Sequence, residues 1–290
     1  MRWWQGTAAW TLLGLAVGLW PRSSAELRCS FLSVGHGCAV LIEAPNGRTL
    51  LYDAGSFADG GRAADTIRHA LWRSGRHQID AVVISHADID HYNGLRTLID
   101  AVPVHTICFA VTFLDFSQRP VAELCDAAAA RGVPLRIVQA GDRLLLDPSL
   151  LIEVLHPARD FDDTEDNADS VVLRVEYAGR SCLLTGDIEG AGLTKLLSGT
   201  PRRADIMLSP HHGSRAANPA SLYGWCRPDY AIASTGDPRV LERLRSEGPA
   251  SVTWLSTANQ GLVSFKVSAE GQLDMEVTHG AVPNALAPHP

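Results

Sequence analysis

Four candidate metal ligands fall within six residues, in the run His86-Ala87-Asp88-Ile89-Asp90-His91, directly behind the apolar segment 79–85. That arrangement demands a packed strand whose end opens into a cleft, because a buried strand is what holds such ligands rigid. In an extended chain, residues two apart face the same side. His86 and Asp88 are therefore expected to reach one ion together. Asp90 and His91, at a loop or helix start, are expected to turn to a second. Imidazole with carboxylate suits Zn²⁺, Mn²⁺ or similar ions. Two histidines argue against Ca²⁺, which prefers oxygen. A lone histidine is ordinarily a surface or capping residue; four ligands in six residues after an apolar strand are not explained that way.

The same pattern recurs down the chain. Asp187 follows the apolar stretch 181–184, His211 and His212 follow 206–208, and His156 closes 150–155. Two ions about 3.5–4 Å apart could share Asp187, an arrangement that supports hydrolysis.

Around these positions strands are expected over 28–34, 38–43, 49–52, 79–85, 105–111, 135–138, 143–146, 150–155, 170–177, 181–184, 206–208, 230–234, 252–255 and 262–267. Helices are expected over 63–74, 94–101, 120–131 and 190–197. Asn46-Gly47 marks a hairpin turn, since it supplies positive φ, and Ala178-Gly179 marks another. The acidic stretch 160–169 reads as a loop. Strands dominate both halves and no linker divides them, which predicts an α+β domain over 27–275, two sheets face to face with helices outside, and a loose tail over 276–290.

The net charge of −7 excludes a protein that grips nucleic acid through a broad basic face. Arg202, Arg203, Arg215 and Arg239 are local candidates for phosphate contacts, although a solvated surface arginine is the ordinary reading of each. None of the six cysteines forms a C-x-x-C pair, so buried reduced thiols are expected. No charge occurs between Arg2 and Arg22, an apolar run spans 8–20, Trp3, Trp4 and Trp20 flank it, and Ser23-Ser24-Ala25 offers small residues for cleavage. Residues 1–25 are therefore expected to be a signal peptide or a single membrane anchor, with the remainder outside the cytoplasm.

The order of motifs is similar to that of the metallo-β-lactamase superfamily and, within it, to the C-terminal domain of the bacterial competence protein ComEC. The resemblance covers roughly residues 27–270. It rests on F-L-S-V-G-H-G-C-A-V-L-I-E-A-P-N-G-R-T-L-L-Y-D-A-G over 31–55, V-I-S-H-A-D-I-D-H-Y-N-G over 83–94, V-L-H-P over 154–157, N-A-D-S-V-V-L-R-V-E-Y over 167–177, L-L-T-G-D-I-E over 183–189 and S-P-H-H-G-S over 209–214. It implies an αββα sandwich of two mixed sheets with outer helices, and two divalent ions, Zn or Mn. The implied ligands are His86, Asp88, Asp90, His91, Asp187, a histidine of the His211–His212 pair and, by order, His156. Asp90 and Asp187 are the candidate catalytic residues, Asp53 an acid that orients a ligand histidine, and His36, Asn167 and Ser214 candidate substrate contacts. A capping or turn role is an equal reading of Asn167 and Ser214. The implied activity is a nuclease or phosphodiesterase acting on DNA, single-stranded, outside the cytoplasm in a competence role. The implied partner is a separate membrane channel, since this sequence shows at most one span.

Two departures bear on that reading. The chain has Gly35-His36-Gly37-Cys38 where the competence branch has G-Q-G-D, which leaves substrate contacts at that loop open. Asp88 stands where most of the superfamily has His, which hardens the site and moves it from β-lactam chemistry toward DNA. A hydrolase of a small ester, amide or lactone is the alternative; the negative charge favours it and Asp88 disfavours it. A non-catalytic DNA-binding component ranks last, because every ligand position is filled.

Overall fold

The segment 50–52 is apolar because both of its faces are covered: Leu50 and Tyr52 join the core between two sheets, while Leu51 joins a layer under helices. The same double burial explains the other apolar runs. The computed structural model describes residues 26–114, 119–159, 161 and 166–279. The expected signal or anchor over 1–25, the tail from 280 and part of the acidic loop lie outside the described residues.

One sheet has eight strands in the order β14-β13-β1-β2-β3-β4-β5-β6: Leu273–Val277, Val263–Val267, Leu27–Phe31, Val40–Glu43, Thr49–Tyr52, Ala81–Val83, Ile107–Phe109 and Leu135–Ile137. It is antiparallel from β14 to β3 and parallel from β3 to β6. The other has six, β12-β11-β10-β9-β8-β7: Thr253–Ser256, Tyr230–Ala233, Ile206–Leu208, Arg180–Leu184, Val172–Tyr177 and Leu151–His156. It is antiparallel from β7 to β9 and parallel from β9 to β12. Helices α1 (Gly60–Arg73), α3 (Leu95–Ala101) and α4 (Arg119–Ala130) cover the first sheet; α5 (Gly190–Leu197), α6 (Ala220–Cys226) and α7 (Arg239–Glu247) cover the second. The single-turn helices α2 (Ile89–Tyr92) and α8 (Thr257–Gln260) sit at strand ends. This is the αββα order of layers.

Phe31, Ile42, Leu50 and Phe265 face Val154, Leu173, Leu184 and Leu208 between the sheets. Each such side chain contributes roughly 1.5–3 kcal/mol relative to exposure. Tyr52, fully buried, donates its hydroxyl to Val171 O across the sandwich at 2.6 Å. Five of the six cysteines are buried and all are free thiols, as expected.

Several expected boundaries move. The strands expected over 28–34 and 105–111 stop at Phe31 and Phe109, because the following residues leave the ladder to build loops. The strand expected over 143–146 does not form. Leu146 reaches the core and Leu144 packs against it, but pairing stops at one bridge between Arg143 and Glu153, and Leu145 is 91% exposed. The ordered chain runs past 275, since β14 pairs with β13 through Val277. Among the described residues no helix is long and apolar enough to cross a membrane.

Candidate metal centre

The loops that follow parallel strands of both sheets bring their side chains together. β3 leads into Asp53, β4 into Ser85 and His86, β9 into Asp187, and β10 into His211 and His212. Backbone hydrogen bonds lock these loops together. Ala54 N–H donates to His91 O (2.7 Å), Gly94 N–H to Ala54 O (2.8 Å) and Cys38 N–H to Asp90 O (3.2 Å). Gly55 has no room for a Cβ against the Asp90–His91 peptide. Asp53, His211 and His212 adopt left-handed φ of 59°, 48° and 52°, a strain of about 1–3 kcal/mol each. The side chain of Asn218 holds the histidine loop in that shape, donating to Pro210 O (2.9 Å) and Ser214 O (2.7 Å).

The histidines share one orientation. Each presents Nδ1 to an oxygen: His86 to Ser85 Oγ (2.9 Å), His91 to Asp53 Oδ2 (2.8 Å), His156 to Ser170 O (3.1 Å), His212 to Ser234 O (2.7 Å) and His211 to Glu189 Oε2 (2.8 Å). A carbonyl or carboxylate accepts only from N–H, so Nδ1 carries the proton in four of them, and Ser85 Oγ, donating to Asp53 Oδ2 at 2.8 Å, accepts from the fifth. The Nε2 atoms of His86, His91, His156 and His212 are buried and have no hydrogen-bond partner. Three of them nevertheless lie close to carboxylate oxygens. His86 is 3.4 Å from Asp88, His91 is 3.3 Å from Asp187, and His212 is 3.1 Å from Asp90 and 3.3 Å from Asp187. These are ion-pair distances without hydrogen-bond alignment. Buried lone pairs held this way, with their far nitrogens anchored by oxygen, are the arrangement of imidazoles that ligate a metal.

Charge supports the same view. Burial disfavours ionisation of Asp187, but His91 and His212 outweigh it and hold the carboxyl well below the usual range. Asp90, likewise opposed by burial and favoured by His212 and His91, is pulled down to about 2. Burial pulls His212 down, yet Asp187 and Asp90 raise it to about 9, and His91 rises for the same reason beside Asp187 and Asp53. His156, buried and without a carboxylate among the causes of its shift, falls to about 4. In metal-free protein His91 and His212, raised by these carboxylates, hold protons that a divalent cation replaces.

Two separate sets of three ligand atoms lie within 4.8 Å of one another: His86, His91 and Asp187, and His36, Asp90 and His212. These groupings differ from the expected division, with Asp90 and His91 on one ion, although Asp187, 3.3 Å from both His91 and His212, links the two sets. Asp90 and His91 lie in α2, where successive side chains diverge by about 100°, so His91 joins His86 and Asp90 joins His212. Asp88, His156 and His211 lie outside both sets. Asp88 precedes α2 at its N-cap position without a side-chain capping bond, half-exposed beside His86. His156 is buried at the end of β7. His211 turns to Glu189, its Nε2 3.9 Å from Asp187. Asn167 also donates to Glu189 (2.8 Å), and the Ser214 hydroxyl accepts from Ala217 N–H (3.3 Å), a turn role. A third group, Cys38, Asp53 and His91, is fully buried, and burial with Asp53 pushes the Cys38 thiol well up, which keeps it a neutral packing group. Sequence reasoning missed Ser85, Glu189, Asn218 and Ser234. Ser85 and Glu189 left a signal, as letters of V-I-S-H-A-D-I-D-H-Y-N-G and L-L-T-G-D-I-E. Arg202 and Arg203 precede β10 and so lie at the end of the sandwich opposite the histidines, Arg203 paired with Asp229 at 3.2 Å.

The sequence profile of the metallo-beta-lactamase superfamily matches residues 32–222. ComE operon protein 3 of Bacillus subtilis is 26% identical over 270 residues, covering 86% of this chain and 34% of that protein. Competence protein ComA of Neisseria gonorrhoeae is 27% identical over 281 residues, covering 92% and 36%. The chain thus spans only about a third of the length of these relatives. Among solved structures, the metallo-beta-lactamase fold protein YhfI from Bacillus subtilis aligns with a TM-score of 0.49 at 13% identity, over 86% of this chain and 100% of that one.

Proposed function

The chain belongs to the metallo-beta-lactamase superfamily, a fold that implies a metal-dependent hydrolase, and from that premise we propose that it cleaves phosphodiester bonds of DNA, single-stranded, outside the cytoplasm during DNA uptake. The observation that carries the hydrolytic centre is the convergence of buried, partnerless imidazole Nε2 atoms on Asp90 and Asp187. The likeness to a protein named for competence motivates DNA as the substrate. Residues 1–25, as signal or anchor, would carry the domain across the membrane, and a channel protein would be its partner.

His86, His91 and Asp187 would hold one divalent ion, with Asp88 beside them; Asp90 and His212 would hold a second. Such ions, Zn²⁺ or Mn²⁺, supply the Lewis acidity that polarises the scissile phosphoryl group. Water adds across a P–O bond, leaving a phosphate monoester and an alcohol. The protein's part is to keep Asp90 and Asp187 ionised and every Nε2 lone pair aimed inward. Asp88 adds a hard oxygen and favours Mn²⁺. Arg215 and Arg239 lie near the histidine loop, each already paired with an acid, Glu247 and Asp237.

The test uses the full chain with Mn²⁺ or Zn²⁺ on single-stranded DNA, bis-p-nitrophenyl phosphate, a lactone panel and nitrocefin. Metal-dependent cutting of DNA is expected. Intact DNA alongside turnover of a lactone or nitrocefin would overturn the proposal in favour of a small ester or amide.

A further inference from the structure

We infer that His36 is a metal ligand, a further protein donor to the ion held by Asp90 and His212. This rests on the two-ion reading above. His36, Asp90 and His212 each offer one donor atom, and the three lie within 4.8 Å of one another. The His36 ring lies 4.4 Å from the His212 ring, centre to centre, and no hydrogen bond to its nitrogens occurs among the described residues.

The backbone that carries His36 is tied to both of its neighbours. Gly37 has φ +149°, and a Cβ there would lie 2.5 Å from Gly55 O and 2.8 Å from Asp90 O, so glycine alone permits the approach. The loop is tied on both sides: His36 O accepts from Phe57 N–H (2.7 Å), and Cys38 N–H donates to Asp90 O (3.2 Å). Ser234 touches both segments, its carbonyl accepting from His212 Nδ1 (2.7 Å) while its hydroxyl donates to Gly37 O (2.8 Å), the backbone next to His36. One residue therefore sets the spacing of His36 from His212, and one peptide sets its spacing from Asp90. A surface residue that only brushes substrate has no need of that rigidity.

With His36 included, the second ion would have two imidazoles beside Asp90, and His36 itself is exposed, so it would meet the ion from the solvent side. Both sites then have two nitrogens, but Asp88 adds a second carboxylate beside the first site, which leaves this one the softer and favours Zn²⁺ there over Mg²⁺.

The test strips the full chain with a chelator, then measures Zn²⁺ uptake by equilibrium dialysis and the visible spectrum during Co²⁺ titration. The parent is expected to bind two ions per chain. His36→Ala should bind the first as the parent does and the second at least about tenfold more weakly, with an altered spectrum for the second Co²⁺ equivalent. His36→Asp should restore part of the affinity. His36→Gln, similar in size but a poor ligand, should not. Parental affinities and spectra in both His36→Ala and His36→Gln would overturn the inference alone. A parent chain that binds fewer than two ions would overturn the two-ion reading and this inference with it. Far-ultraviolet circular dichroism checks that each variant is folded.

Discussion

His91 is fully buried between two carboxylates, Asp53 at Nδ1 and Asp187 at Nε2. Asp53 touches no substrate; it orients His91 and, by accepting from Ser85 N–H (2.7 Å) and Oγ, the turn that carries His86. Asp53→Asn keeps the shape but loses the charge that sustains Nδ1–H. Metal affinity, read by chelator competition, is expected to fall about 10–100-fold while the fold persists. Asp90→Ala removes a donor outright, and hydrolysis of bis-p-nitrophenyl phosphate is expected to drop by at least ~100-fold, since losing a ligand is no milder than losing its outer partner. A variant as active as the parent would remove Asp90 from the site.

At the scale of elements, the loop after β10 is the least ordinary piece of backbone. Two consecutive left-handed histidines are held by Asn218, whose amide oxygen also accepts from Ser209 Oγ (2.7 Å) and Tyr223 Oη (2.6 Å). Asn218→Ala leaves these groups unpaired. It is expected to cost roughly 1–3 kcal/mol in urea unfolding and to weaken metal binding, without altering helical content. Legibility follows from how local each element's cause is. β3 and β10 coincide with their apolar runs because turn residues bound both ends. α6 and α7 were not foreseen, the latter because charged residues dominate Arg239–Glu247 and only Leu241 and Leu244 mark its buried stripe. β14, half-exposed along its length, shows a weak pattern for the same reason. The ligand-bearing segments were legible from strand ends and from resemblance. The choice of His212 over His211, and the parting of Asp90 from His91, were not: both depend on contacts across the two sheets that no local pattern encodes.

For the whole molecule, pH acts through these same groups. In metal-free protein His156 titrates near 4 folded against 6.5 in an unfolded chain, so stability rises as pH climbs between those values. His212 titrates near 9 folded against 6.5 unfolded, so its contribution is complete below 6.5 and is lost as pH rises toward 9. Thermal midpoints of chelated protein are expected to peak near pH 6.5 and fall on either side. Adding Zn²⁺ should raise the midpoint, and increasingly so as pH climbs toward 9, where the folded protein gives up its ligand protons. A midpoint indifferent to metal at pH 8 would contradict the assigned ligands. The strand directions carry one last consequence. The Asn46-Gly47 and Ala178-Gly179 turns lie at the amino ends of β3 and β9, while Asp53 and Asp187 follow their carboxyl ends. A dye, a surface tether or an inserted peptide placed at either turn would be a handle at the far pole of the molecule, leaving the reaction chemistry free to be watched in a single immobilised copy.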